Sequence, residues 1–195
     1  MDQLLFYFNL GLQHVLDINA YDHVLYFIAL TAPYAFKDWR RIIILVTAFT
    51  IGHTASLFLA VYQIVSVNSA IIECLIPITI FTTALFNVFS IKKGLNQYWL
   101  KIPFFISLFF GVIHGFGFSS YFKMIVEGSA YKATSLLAFA LGIEASQIIV
   151  VLVVLILGFL IQAFSVLNKR DWILVMSSMV MGVVLPILKD TCFSL

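Results

Sequence analysis

The sequence predicts an all-α fold, a polytopic transmembrane helical bundle that forms a single domain over residues 1–195. Of the 195 residues, 63% are hydrophobic and 10% are charged, whereas soluble domains carry about 45–50% and about 25%. The apolar residues also group into long runs, and a helix needs about 20 such residues to cross a bilayer. Because so few charges cannot cover a water-exposed surface, we expect most of the surface to face lipid.

Six segments are expected to span the membrane, and a short helix precedes them. That N-terminal helix, about residues 4–16, has the length of a tilted span, a re-entrant piece or an interfacial helix. The second segment, about 21–36, is of borderline length for a span. The five longer apolar segments cover about residues 42–65, 69–91, 102–122, 133–162 and 172–188.

The basic residues in the short connections predict the topology. Eight of the 11 Lys and Arg residues lie in the connections 37–41, 92–101 and 169–170. The other three, on the opposite side, are Lys123, Lys132 and Lys189. The positive-inside rule therefore places the eight-charge side in the cytoplasm and the C-terminus outside. The formal net charge of +2 is too small to indicate nucleic-acid binding.

Ionisable residues within or at the ends of these segments are the candidate functional residues. A charged or titratable group at bilayer depth is costly, and such a group indicates a functional site. Seven of them are expected in the outer half of the membrane or near its mid-plane: His14, Asp22, His23, His53, Glu73, His114 and Glu144. The residues expected to support them by hydrogen bonds or to join helices are Asp17, Thr50, Asn87 and Gln147.

Imidazoles and carboxylates at one depth are suited to a divalent first-row metal such as nickel, cobalt, zinc or iron, and the residue types do not choose among these. Cys74 and Cys192 lie outside the pattern, which argues against copper(I). Two cysteines are also too few for a disulfide framework and indicate no redox compartment. Taken singly, a histidine is equally explained as a helix-to-helix hydrogen bond, Asp22 as a helix N-cap, and the two glutamates as proton relays.

Several motifs resemble the HupE/UreJ family. In chain order, over about residues 10–150, they are His14-Val-Leu-Asp17, Tyr21-Asp22-His23-Val-Leu, Thr47-Ala-Phe-Thr50-Ile-Gly-His53-Thr, Glu73 with Asn87, His114-Gly-Phe-Gly-Phe118 and Gly142-Ile-Glu144-Ala-Ser-Gln147. The resemblance implies a bacterial inner-membrane permease for nickel or cobalt, associated with hydrogenase and urease maturation. It therefore implies metallochaperone or metalloenzyme-maturation partners, and metal handling by the same seven residues.

The residues leave more than one function open. In a secondary permease, the metal enters from the outer side, exchanges water for protein ligands and is released inward when helices rock. In a zinc hydrolase, three histidines, a water and a carboxylate base act on a lipid or lipoprotein at the outer leaflet. A structural subunit whose metal stabilises the bundle is the third alternative. Seven candidate ligands exceed what one catalytic zinc needs, which favours the permease. The expected partners are the metal ion and membrane lipid, with homo-oligomerisation left open.

Overall fold

A computed structural model describes residues 2–17, 21–91, 101–127 and 131–192, and in these ranges the regular structure is entirely helical. The predicted all-α fold is confirmed. Of the basic connection expected over 92–101, only Lys101 lies within the described residues. The helices are α1 (Asp2–Leu16), α2 (Asp22–Thr31), α3 (Trp39–Val61, preceded by a 3₁₀ turn over Phe36–Asp38), α4 (Ser69–Ser90), α5 (Lys101–Val126), α6 (Lys132–Ala163) and α7 (Lys169–Cys192).

Five helices among the described residues, α3 to α7, are long and apolar enough to cross a membrane, one fewer than the six spans expected. The second segment was expected over 21–36, but α2 has only ten residues. Proline disfavours helix in the residue before it and donates no hydrogen bond itself, so Pro33 accounts for the end of α2 at Thr31. At 1.5 Å per residue α2 is about 15 Å long, roughly half of the hydrocarbon thickness.

Helices α3 and α6 end in the same way, in a turn with a left-handed residue. Gln63 after α3 and Ser165 after α6 have φ values of 57° and 55°. After α3, the Ile64 amide donates to the carbonyl of Leu59 at 2.9 Å, the closing bond of a Schellman motif. The expected segment 42–65 therefore stops at Val61. Neither end carries the glycine that normally marks this motif in a sequence.

Helices α3 and α5 run in the same direction in close contact. A Cβ on Gly52 of α3 would collide with the carbonyl oxygen of Leu108, and a Cβ on Gly111 of α5 with that of Phe49. Small residues allow this approach of two membrane helices. Because these contacts lie in the turn that precedes His53 and in the turn that precedes His114, they fix the separation of these two histidines.

Helices α4 and α7 run antiparallel and are joined by a disulfide between Cys74 and Cys192. The pair links the second turn of α4 to the last residue of α7, and Asn87 contacts Ser177 nearer the other end of the pair. The two cysteines, taken from the sequence as indicating no redox compartment, are thus paired. Their pairing depends on helix packing, because 118 residues separate them along the chain.

The exterior of the bundle is apolar, and a set of polar side chains lies within its largely apolar core. Large apolar side chains such as Phe89, Phe105 and Phe159 are at least 60% exposed, as expected of a surface in contact with lipid. Polar side chains such as Asn87 and Gln147 are at most 5% exposed. The chain is therefore a multi-pass membrane protein whose polar groups are gathered between its helices.

Candidate metal centre

Four imidazole rings from four helices meet inside the bundle. His23, on α2, is central: its ring centroid lies 4.6 Å from that of His14, 5.5 Å from that of His53 and 5.2 Å from that of His114. An aromatic ring also contacts the cluster: the ring centroid of Phe118 lies 3.9 Å from that of His14. The structure thus brings together all four histidines of the chain, one each from α1, α2, α3 and α5.

The ligand atoms of this cluster form two overlapping groups. His14, His23 and His53 make one group, and Asp22, His23 and His114 make the other. Within each group the candidate ligand atoms lie within 4.8 Å of one another, so that a single ion between them would reach all three. His23 belongs to both groups.

Most of the ring nitrogens in this cluster are buried without a hydrogen-bond partner. These atoms are Nε2 of His14, Nε2 of His23, both ring nitrogens of His53 and Nδ1 of His114. A buried polar atom without a partner costs about 1–3 kcal/mol, and such atoms are rare in native structures. Because a neutral imidazole carries one lone pair, a metal ion at this place would provide a partner for one nitrogen of each of the four rings.

The carboxylate of Asp22 orients the central ring. Its Oδ1 lies 3.1 Å from Nδ1 of His23, and its Oδ2 lies 3.9 Å from Nδ1 of His114. Because an ionised carboxylate only accepts hydrogen bonds, Nδ1 of His23 donates and Nε2 keeps its lone pair. This carboxylate–histidine arrangement is the one that supports metal-binding histidines in proteins.

Thr79 of α4 orients His114 and was missed in the sequence. Its hydroxyl donates to the carbonyl of Ile76 at 2.7 Å, so it can only accept from Nε2 of His114, 3.1 Å away. That hydrogen bond leaves the lone pair of His114 on Nδ1, the nitrogen beside Asp22. The signal in the sequence was a stripe of polar residues at four-residue spacing, Thr79, Thr83 and Asn87.

A cavity of about 850 Å³ opens beside the cluster. We call it the histidine cavity. The polar side chains that line it belong to Gln13, His14, Asp17, Asp22, His23, Glu73, His114 and Tyr121. His53, by contrast, is not part of this lining. An ion in the histidine cavity therefore meets Asp22 and three of the histidines before it meets His53.

Two of the seven residues expected to bind metal, Glu73 and Glu144, do not belong to either ligand group. Glu144 accepts a hydrogen bond of 2.6 Å from Thr47, which precedes His53 by six residues and therefore by about 9 Å along α3. Gln147, expected as a support, accepts from Thr50 at 2.9 Å. Both residues of α6 thus face α3 rather than the histidine rings.

The other acid outside the ligand groups, Glu73, is an exposed residue in the wall of the histidine cavity, and Asp17 lines the same wall. Asn87 lies elsewhere and joins helices: its amide nitrogen is 2.7 Å from the carbonyl of Ala29 and 3.3 Å from the hydroxyl of Ser177. Five of the seven expected ligands thus belong to the two ligand groups, and Glu73 and Asp17 line the cavity beside them.

Comparison with known proteins gives one match. A family model described as HupE / UreJ protein matches residues 1–188, a longer part of the chain than the motifs alone cover. No curated protein and no solved structure matches the chain. All five ligand candidates lie within the matched residues.

Proposed function

The chain belongs to the HupE/UreJ family, and from that premise we propose that it is a membrane permease for a divalent transition metal of the nickel or cobalt type. The metal ion is the substrate, held in transit by His14, Asp22, His23, His53 and His114. One observation carries the proposal: five buried nitrogens of the four clustered imidazoles have no partner, and three of these histidines line a cavity together with the carboxylate of Asp22.

The donor atoms select the class of metal. Calcium and magnesium prefer sites built of oxygen atoms, whereas imidazole suits nickel, cobalt and zinc. Copper(I) prefers soft sulfur ligands, and both cysteines of the chain are engaged in the disulfide. The family favours nickel or cobalt over zinc, and an uptake experiment must decide between these ions.

A second cavity suggests the route by which the ion leaves. The Arg41 cavity, of about 160 Å³, lies between α2, α4 and the first half of α5, and it is lined by Tyr26, Tyr34, Arg41, Thr82, Thr83, Asn87 and Phe110, among others. Tyr26 also stands beside the cluster, with its ring centroid 5.6 Å from that of His114. We propose that movement of Tyr26 connects the ligand cluster with the Arg41 cavity.

The orientation follows from charge and from the disulfide. Arg41 and the basic start of α7 lie at the opposite ends of their helices from the disulfide end of the bundle. Basic connections favour the cytoplasm, and disulfides persist in oxidising compartments. We therefore propose a bacterial inner-membrane protein with its C-terminus outside. The released ion would pass to a metallochaperone or to metalloenzyme-maturation proteins, as the family suggests.

Uptake into vesicles tests the permease. Purified protein in liposomes should take up Ni²⁺ or Co²⁺ faster than protein-free liposomes, and His23→Asn should abolish the difference. Zn²⁺ in a parallel series identifies which ion is preferred. If none of the three ions enters while the purified protein retains one ion tightly, the chain is not a permease.

One observation favours a hydrolase as the second candidate. Each ligand group contains three residues, and a catalytic zinc has three protein ligands and a bound water. The general base would then be Glu73, in the wall of the same cavity. The Zn²⁺-loaded protein should, on this reading, release fatty acid from phospholipid or cleave a lipoprotein, and Glu73→Gln should stop the reaction. Absence of turnover together with uptake would exclude it.

A further inference from the structure

We infer that His23 is shared between two overlapping positions for one ion, the first formed with Asp22 and His114 and the second with His14 and His53. The inference rests on the proposed function and specifies how the ion moves within its site. Any divalent ion that accepts imidazole ligands would use both positions, so Co²⁺, which is coloured, serves as the probe.

The two ligand groups provide the geometry. Each of them is complete within 4.8 Å, and His23 is the member that they share. Nδ1 of His23 faces Asp22 at 3.1 Å, whereas its Nε2 is buried without a partner. The two nitrogens of an imidazole point away from each other, so the same ring offers a lone pair on either side, according to its tautomer.

Charge allows only one ion at a time. Asp22 is the one carboxylate in the two ligand groups found among the described residues. Two divalent ions would place four positive charges beside one negative charge inside a membrane bundle, where unpaired charge is costly. A single ion leaves a net charge of one, which the surrounding dipoles can stabilise. The two groups are therefore alternative positions.

The cavity orders the two positions. Asp22 and His114 both line the histidine cavity, so the first position is reached directly from it. In the second position His14 and His23 also line this cavity, whereas His53, on α3, is not part of its lining. Passage from the first position to the second therefore exchanges Asp22 and His114 for His14 and His53. The ion leaves Nδ1 of His23 and binds Nε2 of the same ring, while the ring proton moves from Nε2 to Nδ1, beside Asp22.

Titration of the purified full chain with Co²⁺ tests the inference. Elemental analysis after gel filtration should give one Co²⁺ per chain. His53→Ala and His114→Ala should each retain one Co²⁺, bound at least about 10-fold more weakly, since even the loss of a residue that only orients a metal ligand costs about 10–100-fold. Their visible absorption spectra should differ from each other, because the first keeps a carboxylate and the second keeps imidazoles only. His23→Ala, and the double variant of His53 and His114, should bind no Co²⁺.

Three results would overturn the inference: two Co²⁺ per wild-type chain, complete loss of binding in either single variant, or identical spectra for both. His23→Asn should also bind no Co²⁺. If its gel filtration profile matches that of the wild type, the loss of binding is not a failure to fold. Thr31→Val is the matched control on α2, because its hydroxyl is buried without a partner and lies eight residues from His23. Uptake is measured separately, so absence of transport would refute the permease and leave the binding pattern to decide this inference.

Discussion

The histidine cavity and the Arg41 cavity lie on two sides of the same layer of side chains and differ in size and charge. The first measures about 850 Å³ and its wall includes three acids, Asp17, Asp22 and Glu73. The second measures about 160 Å³ and its charged side chain is Arg41. Acids attract a cation and focus it toward its ligands, whereas an arginine repels it. Under the proposed permease function, this difference corresponds to a conformation that receives the ion and holds it back from release.

The largest effect is expected from Thr79, because it lies in the layer between the two cavities and orients a ligand. Thr79→Val removes the hydroxyl that accepts from His114 and frees the ring to present the wrong nitrogen. Co²⁺ affinity should fall about 10–100-fold, the usual cost of losing such a supporting hydrogen bond. The measurement is a Co²⁺ titration followed by visible absorption.

Two further variants make the Thr79 prediction specific. Thr79→Ser keeps the hydroxyl and should restore most of the affinity. Thr82→Val removes a hydroxyl that donates to the carbonyl of Ile78 in its own helix, and it should leave Co²⁺ binding unchanged. Equal losses in Thr79→Val and Thr82→Val would show that α4 packing, and not the hydrogen bond to His114, controls the affinity.

The second largest effect is expected from Tyr26, which separates the two cavities. Its ring is fully buried, stacks on Phe49 at a centroid distance of 4.9 Å and lines the Arg41 cavity. Tyr26→Leu should increase the leak of Co²⁺ from loaded liposomes several-fold and leave the Co²⁺ affinity of the ligands nearly unchanged. Phe27→Leu is the matched control, since Phe27 is an equally buried ring that lines neither cavity. A similar leak in both variants would attribute the effect to lost packing.

The sequence predicts how deep in the membrane each residue of this site lies. It does not predict toward which neighbouring helix each side chain projects. Apolar runs place His53 and His114 near the middle of two spans, and in the structure the rings of both lie beside the ring of His23. Glu144 lies in a span as well, yet it faces Thr47 of α3. The direction in which that side chain projects from α6 depends on which helices pack together, and amino-acid composition does not predict this packing.

In the fold as a whole, features that depend on neighbouring residues in the sequence can be predicted, whereas features that depend on helix packing cannot. The end of α2 was readable, because Pro33 stands within the segment that was expected to continue. The role of Thr79 was not readable, because hydroxyls in membrane helices commonly bond to their own backbone, as that of Thr83 does. The disulfide depends on the antiparallel contact of α4 with α7, which no local pattern predicts.

The smallest effect is expected from Asp17 and Glu73, the two acids of the histidine cavity that lie outside the ligand groups, because we expect them to attract the ion without binding it. Glu73→Gln should slow Co²⁺ association about two- to threefold at low ionic strength, and the difference should disappear in high salt, since surface charges act over about a Debye length. Stopped-flow absorption with Co²⁺ measures the rate. Glu144→Gln makes the same change outside the cavity and should leave the rate unaltered. If Glu144→Gln slows association more than Glu73→Gln does, the ion approaches along α6, and the contrast between the two cavities does not describe its path.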